Sequence, residues 1–225
     1  MLLKKRPVYL ALLFTLATAL HVAGADDTEA RLRNATGVLN RLIDSSGQGI
    51  GPPQIIKANC VAVIPGFDVV VGVGFGRGFV SCRNANGWSE PGAVILVSTD
   101  PDLQLAAGKI DIVILSMEKK LRPKLLSDRF MVGSDASAAW LDGKSVRSDS
   151  DAKLLFFGHT KGAFTGFGLD GATLKADDSG NKALYGSPIS NSEIVEGHSA
   201  RPPVTDAFLV RLSQVTRRWV LTRFP

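Results

Sequence analysis

The chain is poor in the side chains that do chemistry. It holds three histidines and two cysteines in 225 residues. No H-E-x-x-H, C-x-x-C or G-x-S-x-G occurs, so the zinc-protease, dithiol and nucleophile-elbow patterns are excluded. No G-x-x-x-x-G-K-[ST] occurs either. The glycine run around Gly74 fails G-x-G-x-x-G, because Arg77 or Phe79 stands where the last glycine is needed. Neither phosphate cradle is available. Asp177-Asp178-Ser179-Gly180-Asn181 lacks the residue order and the closing Glu of a calcium loop. His159 sits beside Thr160-Lys161 with no carboxylate or nucleophile placed to orient it, and reads as a solvated turn histidine. The expectation is a protein with no catalytic residues, no metal and no cofactor.

Long apolar stretches free of charge are also scarce, and the one at the N-terminus has a specific form. Lys4, Lys5 and Arg6 precede an uncharged stretch from Val8 to Leu20, and Ala23 and Ala25 make an A-x-A-like cleavage site. The stretch is short for a membrane-spanning helix. Residues 1–25 are expected to be a signal peptide and 26–225 a single domain, exported and periplasmic or secreted after cleavage near Ala25. Cleavage removes three cations and lowers the formal charge from +5 to +2. Net charge therefore carries no nucleic-acid signal. Export favours a disulfide between Cys60 and Cys82. A hairpin turning at Pro65-Gly66, however, would set Cys60 opposite Val73. Two buried free thiols are thus the alternative.

What the sequence has in abundance is patterned glycine. Gly72, Gly74, Gly76 and Gly78 fall at every second position, the period of a β-strand. One face of that strand is bare, while Val71, Val73, Phe75, Arg77 and Phe79 occupy the other. Glycine weakens a strand interior, so the run implies a tightly bent sheet, or a second backbone or ligand against the bare face. Arg77 is a charge in an apolar row, and must reach solvent at an edge or meet an anion.

Around this strand the periodicities alternate. Residues 26–46 read as an amphipathic helix with Leu32, Ala35, Val38, Leu39, Leu42 and Ile43 on one face and Arg33, Asn34, Asn40 and Arg41 on the other. Ala58 to Ile64, Val69 to Cys82, Ala93 to Ser98, Ile110 to Met117 and Phe130 to Trp140 read as strands. Lys153 to His159 and Gly162 to Lys175 read as a hairpin around Thr160-Lys161. Gly166-Phe167-Gly168 in its second arm echoes Gly74-Phe75-Gly76. Short helical pieces follow Asp177, and a last helix runs from Val204 to about Val220. The order predicts an α+β fold: an antiparallel, glycine-rich, barrel-like sheet flanked by an N-terminal and a C-terminal helix.

Several segments together resemble the SYLF domain family. They are Ile55 to Pro65, the glycine strand to Val80, Trp88-Ser89-Glu90-Pro91, Ile110 to Leu115, Lys161 to Gly171, Asn181, and Tyr185-Gly186. The W-S-x-P and K-G-x-F-x-G-x-x-L-x-G elements occur in order, and the resemblance runs from about Arg31 to Leu212. It implies a lipid-binding domain of actin-regulator type, with phosphoinositides and actin as ligands of eukaryotic members and an N-terminal amphipathic helix at the membrane. An export signal would put actin and phosphoinositides out of reach. The expectation narrows to a non-catalytic domain contacting anionic lipid headgroups or a membrane surface. Candidate contacts are Arg31, Arg33, Arg41, Lys57, Arg77 and Lys161. A cell-envelope interaction module, whose glycine strand mates with a partner protein, is the alternative. A hydrolase with scattered residues is the third reading.

Overall fold

A computed structural model describes residues 27–43, 50–70, 73–99, 109–132, 138–142, 145–146, 152–160 and 171–223. The expected signal peptide, Lys161 and Gly166-Phe167-Gly168 lie outside the described residues.

Helix α1 covers 27–43, as its periodicity predicts. Leu32, Ala35, Val38, Leu39 and Leu42 are all buried, together with residues of β-strands and of the last helix. Its apolar stripe is therefore spent on the protein's own core, and only its polar face meets solvent. That corrects the picture of this stripe lying in a headgroup layer. Helix α2 (Pro52–Lys57) leads into β1 (Cys60–Val70), followed by β2 (Val73–Asn84), β3 (Gly87–Trp88), β4 (Gly92–Ser98) and β5 (Ile110–Ser116). After a short α3 (Arg122–Leu125) come β6 (Phe130–Met131), β7 (Ala138–Asp142), β8 (Ser145–Val146), β9 (Leu154–Thr160) and β10 (Thr173–Ala176). Helices α4 (Asp178–Tyr185), α5 (Asn191–Glu196) and α6 (Asp206–Arg223) complete the chain.

The sheet runs β6-β10-β4-β2-β1-β5-β9-β7-β8, with β3 paired to β2, and curls into an open half barrel. The α+β expectation holds. Every pairing is antiparallel except that of β7 with β9, which is parallel. Alternate residues of β1 enter two cores: Ala62 and Ile64 on one face, Val61 and Val63 on the other. Burial on both faces is why β1 and β5 read as continuous apolar runs.

Three expectations are corrected. The chain does not turn at Pro65-Gly66. β1 passes through with a bulge there, Gly66 adopting φ +61°, and pairs with β2 as far as Val70. Cys60 consequently lies opposite Cys82, and the two form a disulfide. Cys82 spends its backbone N–H and C=O on Ser89. The cysteines thus face each other at a pair without mutual backbone bonds, where side chains approach most closely. Second, Phe130 to Trp140 is not one strand. β6 joins β10 at one end of the sheet, and β7 joins β9 at the other. Third, β9 takes β5 and β7 as neighbours, and β10 takes β4 and β6. Their described residues do not make a hairpin with each other.

The bare face of β2 is filled by a second backbone, one of the options its glycines left open. A Cβ on Gly78 would strike the Val63 carbonyl, and one on Gly76 would come within 2.6 Å of Ile64 Cγ2. The bulged part of β1 folds over Gly76 and Gly78, bringing Ile64 with Phe67 to the first and the Val63 carbonyl to the second.

Candidate functional site: a cationic cleft beneath the first helix

An open cleft of about 690 Å³ lies between α1, the β1 bulge and β2. The polar stripe of α1 forms one wall, with Asp27, Ala30, Arg31, Asn34, Gly37 and Arg41 at helical spacing. Pro65, Gly66 and Asp68 of the bulge, Phe75 to Arg77 of β2, Lys109 just before β5 and Asp111 within it form the other. Arg33 reaches its rim. Five cations thus face three carboxylates.

Two carboxylates anchor the helix over this cleft. Asp177 is 1% exposed and receives four donors. Arg31 Nη1 donates to its Oδ2 at 3.1 Å, while Arg77 Nη2 (3.1 Å), Ser179 Oγ (2.7 Å) and the Gly180 N–H (3.0 Å) donate to Oδ1. The last of these makes Asp177 the N-cap of α4, where the helix dipole also favours an anion. The faint calcium-loop sequence is thus a helix cap clasped by two arginines. At the other end of α1, Arg41 Nη2 donates to Asp111 Oδ2 at 2.6 Å, and the N–H of Gly66 donates to Asp111 Oδ1 at 3.0 Å. The bulge that defeats the hairpin expectation thereby presents a backbone donor to the residue that holds the helix.

The two anchors differ in solvation. Asp177 and Arg31 are largely buried, while Arg41 is more than half exposed. Arg33 pairs with Glu29 one turn away, both in solvent. An exposed pair of this kind contributes about 0–1 kcal/mol, so Arg33 can exchange its partner at little cost, while Arg41 keeps an exposed guanidinium over a part-buried Asp111. Removing one member of the buried pair would strand a charge.

Of the six sequence-predicted contacts, Arg31, Arg33, Arg41 and Arg77 meet at this cleft. Lys57 does not. It is exposed in the last turn of α2, which packs against α6. Lys161 lies outside the described residues. Sequence reasoning missed Asp111, Asp177 and Lys109. The signal for Asp111 was present: a lone charge in the buried strand Ile110 to Ser116, the same anomaly that marked Arg77.

The motif residues behind the family resemblance build a scaffold beside the cleft. Tyr185 is held from ionising by burial and donates its hydroxyl to the Pro91 carbonyl at 2.8 Å. Asn181 accepts the Ala93 N–H at 2.7 Å and donates to Asn191. Glu90 accepts the Thr205 hydroxyl at 2.7 Å and pairs with Arg201, yet burial raises its carboxyl above the usual value. On the far side of Trp88, the Arg83 guanidinium stacks over the indole at 4.3 Å. Among the described residues no group of three or more His, Cys, Asp or Glu side chains could hold a metal ion.

The fold and the cleft define a class: an α+β domain whose first helix is clamped by ion pairs over a curled sheet. Residues 102–215 match the family described as Ysc84, Las17-binding protein actin regulator, and the chain belongs to that family. This agrees with the SYLF resemblance. An SH3 domain-containing protein, PJ696.02, of Schizosaccharomyces pombe is 24% identical over 204 residues, covering 83% of this chain and 47% of the relative. The human SH3 domain-containing YSC84-like protein 1 is 23% identical over 207 residues, 85% of this chain and 60% of the relative. Protein YSC84 of Saccharomyces cerevisiae is 25% identical over 174 residues, 70% of this chain and 36% of the relative. The chain thus spans roughly half the length of these curated relatives. The family description names a regulator of actin and not a catalyst, which stands against the expectation that actin lies out of reach.

Proposed function

We propose that this domain is a non-catalytic module that binds a membrane surface by taking an anionic lipid headgroup into the cleft beneath α1. The observation that carries this reading is the convergence of Arg31, Arg33 and Arg41 from α1, Arg77 from β2 and Lys109 before β5 on one open concavity. Arg33 is paired with an exposed carboxylate that a phosphate can replace, and the guanidinium of Arg41, more than half exposed, can take a phosphate alongside the part-buried Asp111. Export to an oxidising compartment fits both the N-terminal sequence and the Cys60–Cys82 bond. Under that reading the headgroups are those of an envelope membrane.

The test is co-sedimentation of the chain from residue 26 onward with phosphatidylcholine vesicles, with and without an anionic lipid, at low and high salt. Binding to anionic vesicles alone, weakened by salt and by Arg33→Glu with Arg41→Glu, supports the proposal. Indifference to both vesicle types sinks it. A protein partner is the second reading, because the family description names Las17 binding and actin. Co-sedimentation with actin filaments in the absence of lipid would favour it.

A further inference from the structure

Three large apolar residues are substantially exposed among the described residues: Val73 (47%), Phe75 (48%) and Val210. Val73 and Phe75 are alternate residues of β2, so they share a face, and Phe75 also lines the cleft. Cross-strand register extends this face in two rows. Phe75 lies opposite Val97, and Val97 opposite Thr173, which makes a row without charge. One step further from the hairpin end, Arg77 lies opposite Ile95, and Ile95 opposite Lys175. That row carries a cation on each outer strand. Val97 and Ile95 are half-buried, and Lys175 is exposed.

We propose that Val73 and Phe75, at the hairpin end of β1 and β2, form an apolar wedge that enters the acyl layer of an anionic bilayer while Arg77, Lys175 and the cleft arginines engage its phosphates. This rests on the headgroup reading above and names the part of the domain that penetrates. Two strand residues span roughly 7 Å. Shallow insertion reaches about 5–10 Å into the boundary between headgroups and chains. The spacing therefore sets the Phe75 ring below the phosphates when the Arg77 row lies level with them. Charge complementarity selects an anionic surface. Two half-exposed side chains fall far short of the roughly 800 Å² per partner that a stable protein interface buries. The wedge also assigns membrane contact to a strand end and not to the apolar stripe of α1, which the core has already taken.

The experiment uses the chain from residue 26 onward and vesicles of phosphatidylcholine and phosphatidylserine. Val73→Asp with Phe75→Asp is expected to weaken partitioning about tenfold or more, with the far-UV circular dichroism unchanged. Phe75→Trp, which keeps the apolar surface, is expected to bind like the parent. Its added fluorescence should be quenched by lipids doxyl-labelled in the acyl chain and less by headgroup-labelled lipids. If the parent binds and Arg33→Glu with Arg41→Glu abolishes binding, but the Asp pair leaves it intact and no acyl quenching appears, the wedge is wrong and the headgroup reading stands. If the parent ignores anionic vesicles, both fall together. Self-association without lipid, abolished by the Asp pair while vesicle binding persists, would make the patch a contact between copies and overturn the wedge.

Discussion

Arg83 and Arg77 sit on the same strand and are spent in opposite ways. Arg83 donates from Nε to the Ala58 carbonyl at 3.1 Å, reaches the Ile55 and Ile56 carbonyls, and stacks on Trp88. Burial lowers its pKa from the usual arginine value. Beside it lies the disulfide, which ties the start of β1 to β2. Arg77 has a single carboxylate and a serine as partners, its Nε finds no acceptor among the described residues, and an open cleft lies alongside. A guanidinium satisfied by backbone carbonyls and an aromatic face cannot be withdrawn without opening the fold. One satisfied by a side-chain anion at a cleft wall can accept a second anion. Similar residues thus make a closed structural end and an open receptive end on one strand.

Asp177 is where the comparison breaks most severely, since it is the buried base beneath the open end. Asp177→Ala removes the buried carboxylate that Arg31 and Arg77 share, leaves them only Asp27, Thr28 and Ser179, and uncaps α4, and should cost about 3–5 kcal/mol in denaturant unfolding. A change below about 1 kcal/mol would mean that Arg31 and Arg77 find other partners. At the closed end, replacing Cys60 and Cys82 together by alanine should cost about 3 kcal/mol. Vesicle binding of the still-folded fraction should not change, because the bond lies away from the cleft. Arg83→Ala should cost about 2–3 kcal/mol through lost charged hydrogen bonds and ring stacking, again read by denaturant unfolding. Equal sensitivity of vesicle binding to Arg83→Ala and to the paired replacement of Arg33 and Arg41 by glutamate would erase the distinction between the two ends.

The smallest effect is a pH slope. Glu90 has a folded-state pKa raised by burial, so the folded chain holds its proton to higher pH than the unfolded chain. Its contribution is therefore most favourable below the ordinary carboxylate value and is lost as pH rises through the folded value. Glu90→Gln should flatten this slope just above pH 4.5 in urea titrations. An unchanged slope would assign it to other carboxylates.

Much of the architecture was legible because period reports burial. Leu32, Ala35, Val38, Leu39 and Leu42 recur at helical spacing and all go inside. Gly76 and Gly78 announced a close approach, and β1 supplies it. The site was less legible. Pro65-Gly66 carries a strong turn signal, yet β2 and β5 pair with β1 on both sides of it and turn the break into a bulge. That one difference moved Cys60 from Val73 to Cys82. It also built one wall of the cleft. The Asp177 segment misled in another way, because a helix cap and a calcium loop both use Asp, Ser, Gly and Asn.

The sequence by itself determined the first and last helices, most of the central strands, the α+β class, the family, and the anomaly of Arg77 in an apolar strand, all properties of local order and period. The tertiary structure alone decided that Arg31 and Arg77, 46 positions apart, meet on one buried carboxylate a hundred residues further on. It also decided that Arg41 is held by Asp111, that Lys57 lies elsewhere, and that Phe75 faces solvent while Phe79 does not. Which cation finds which anion depends on strand register and on how far the covering helices extend along the sheet. Those are set by the packing of distant apolar faces, which no local pattern records.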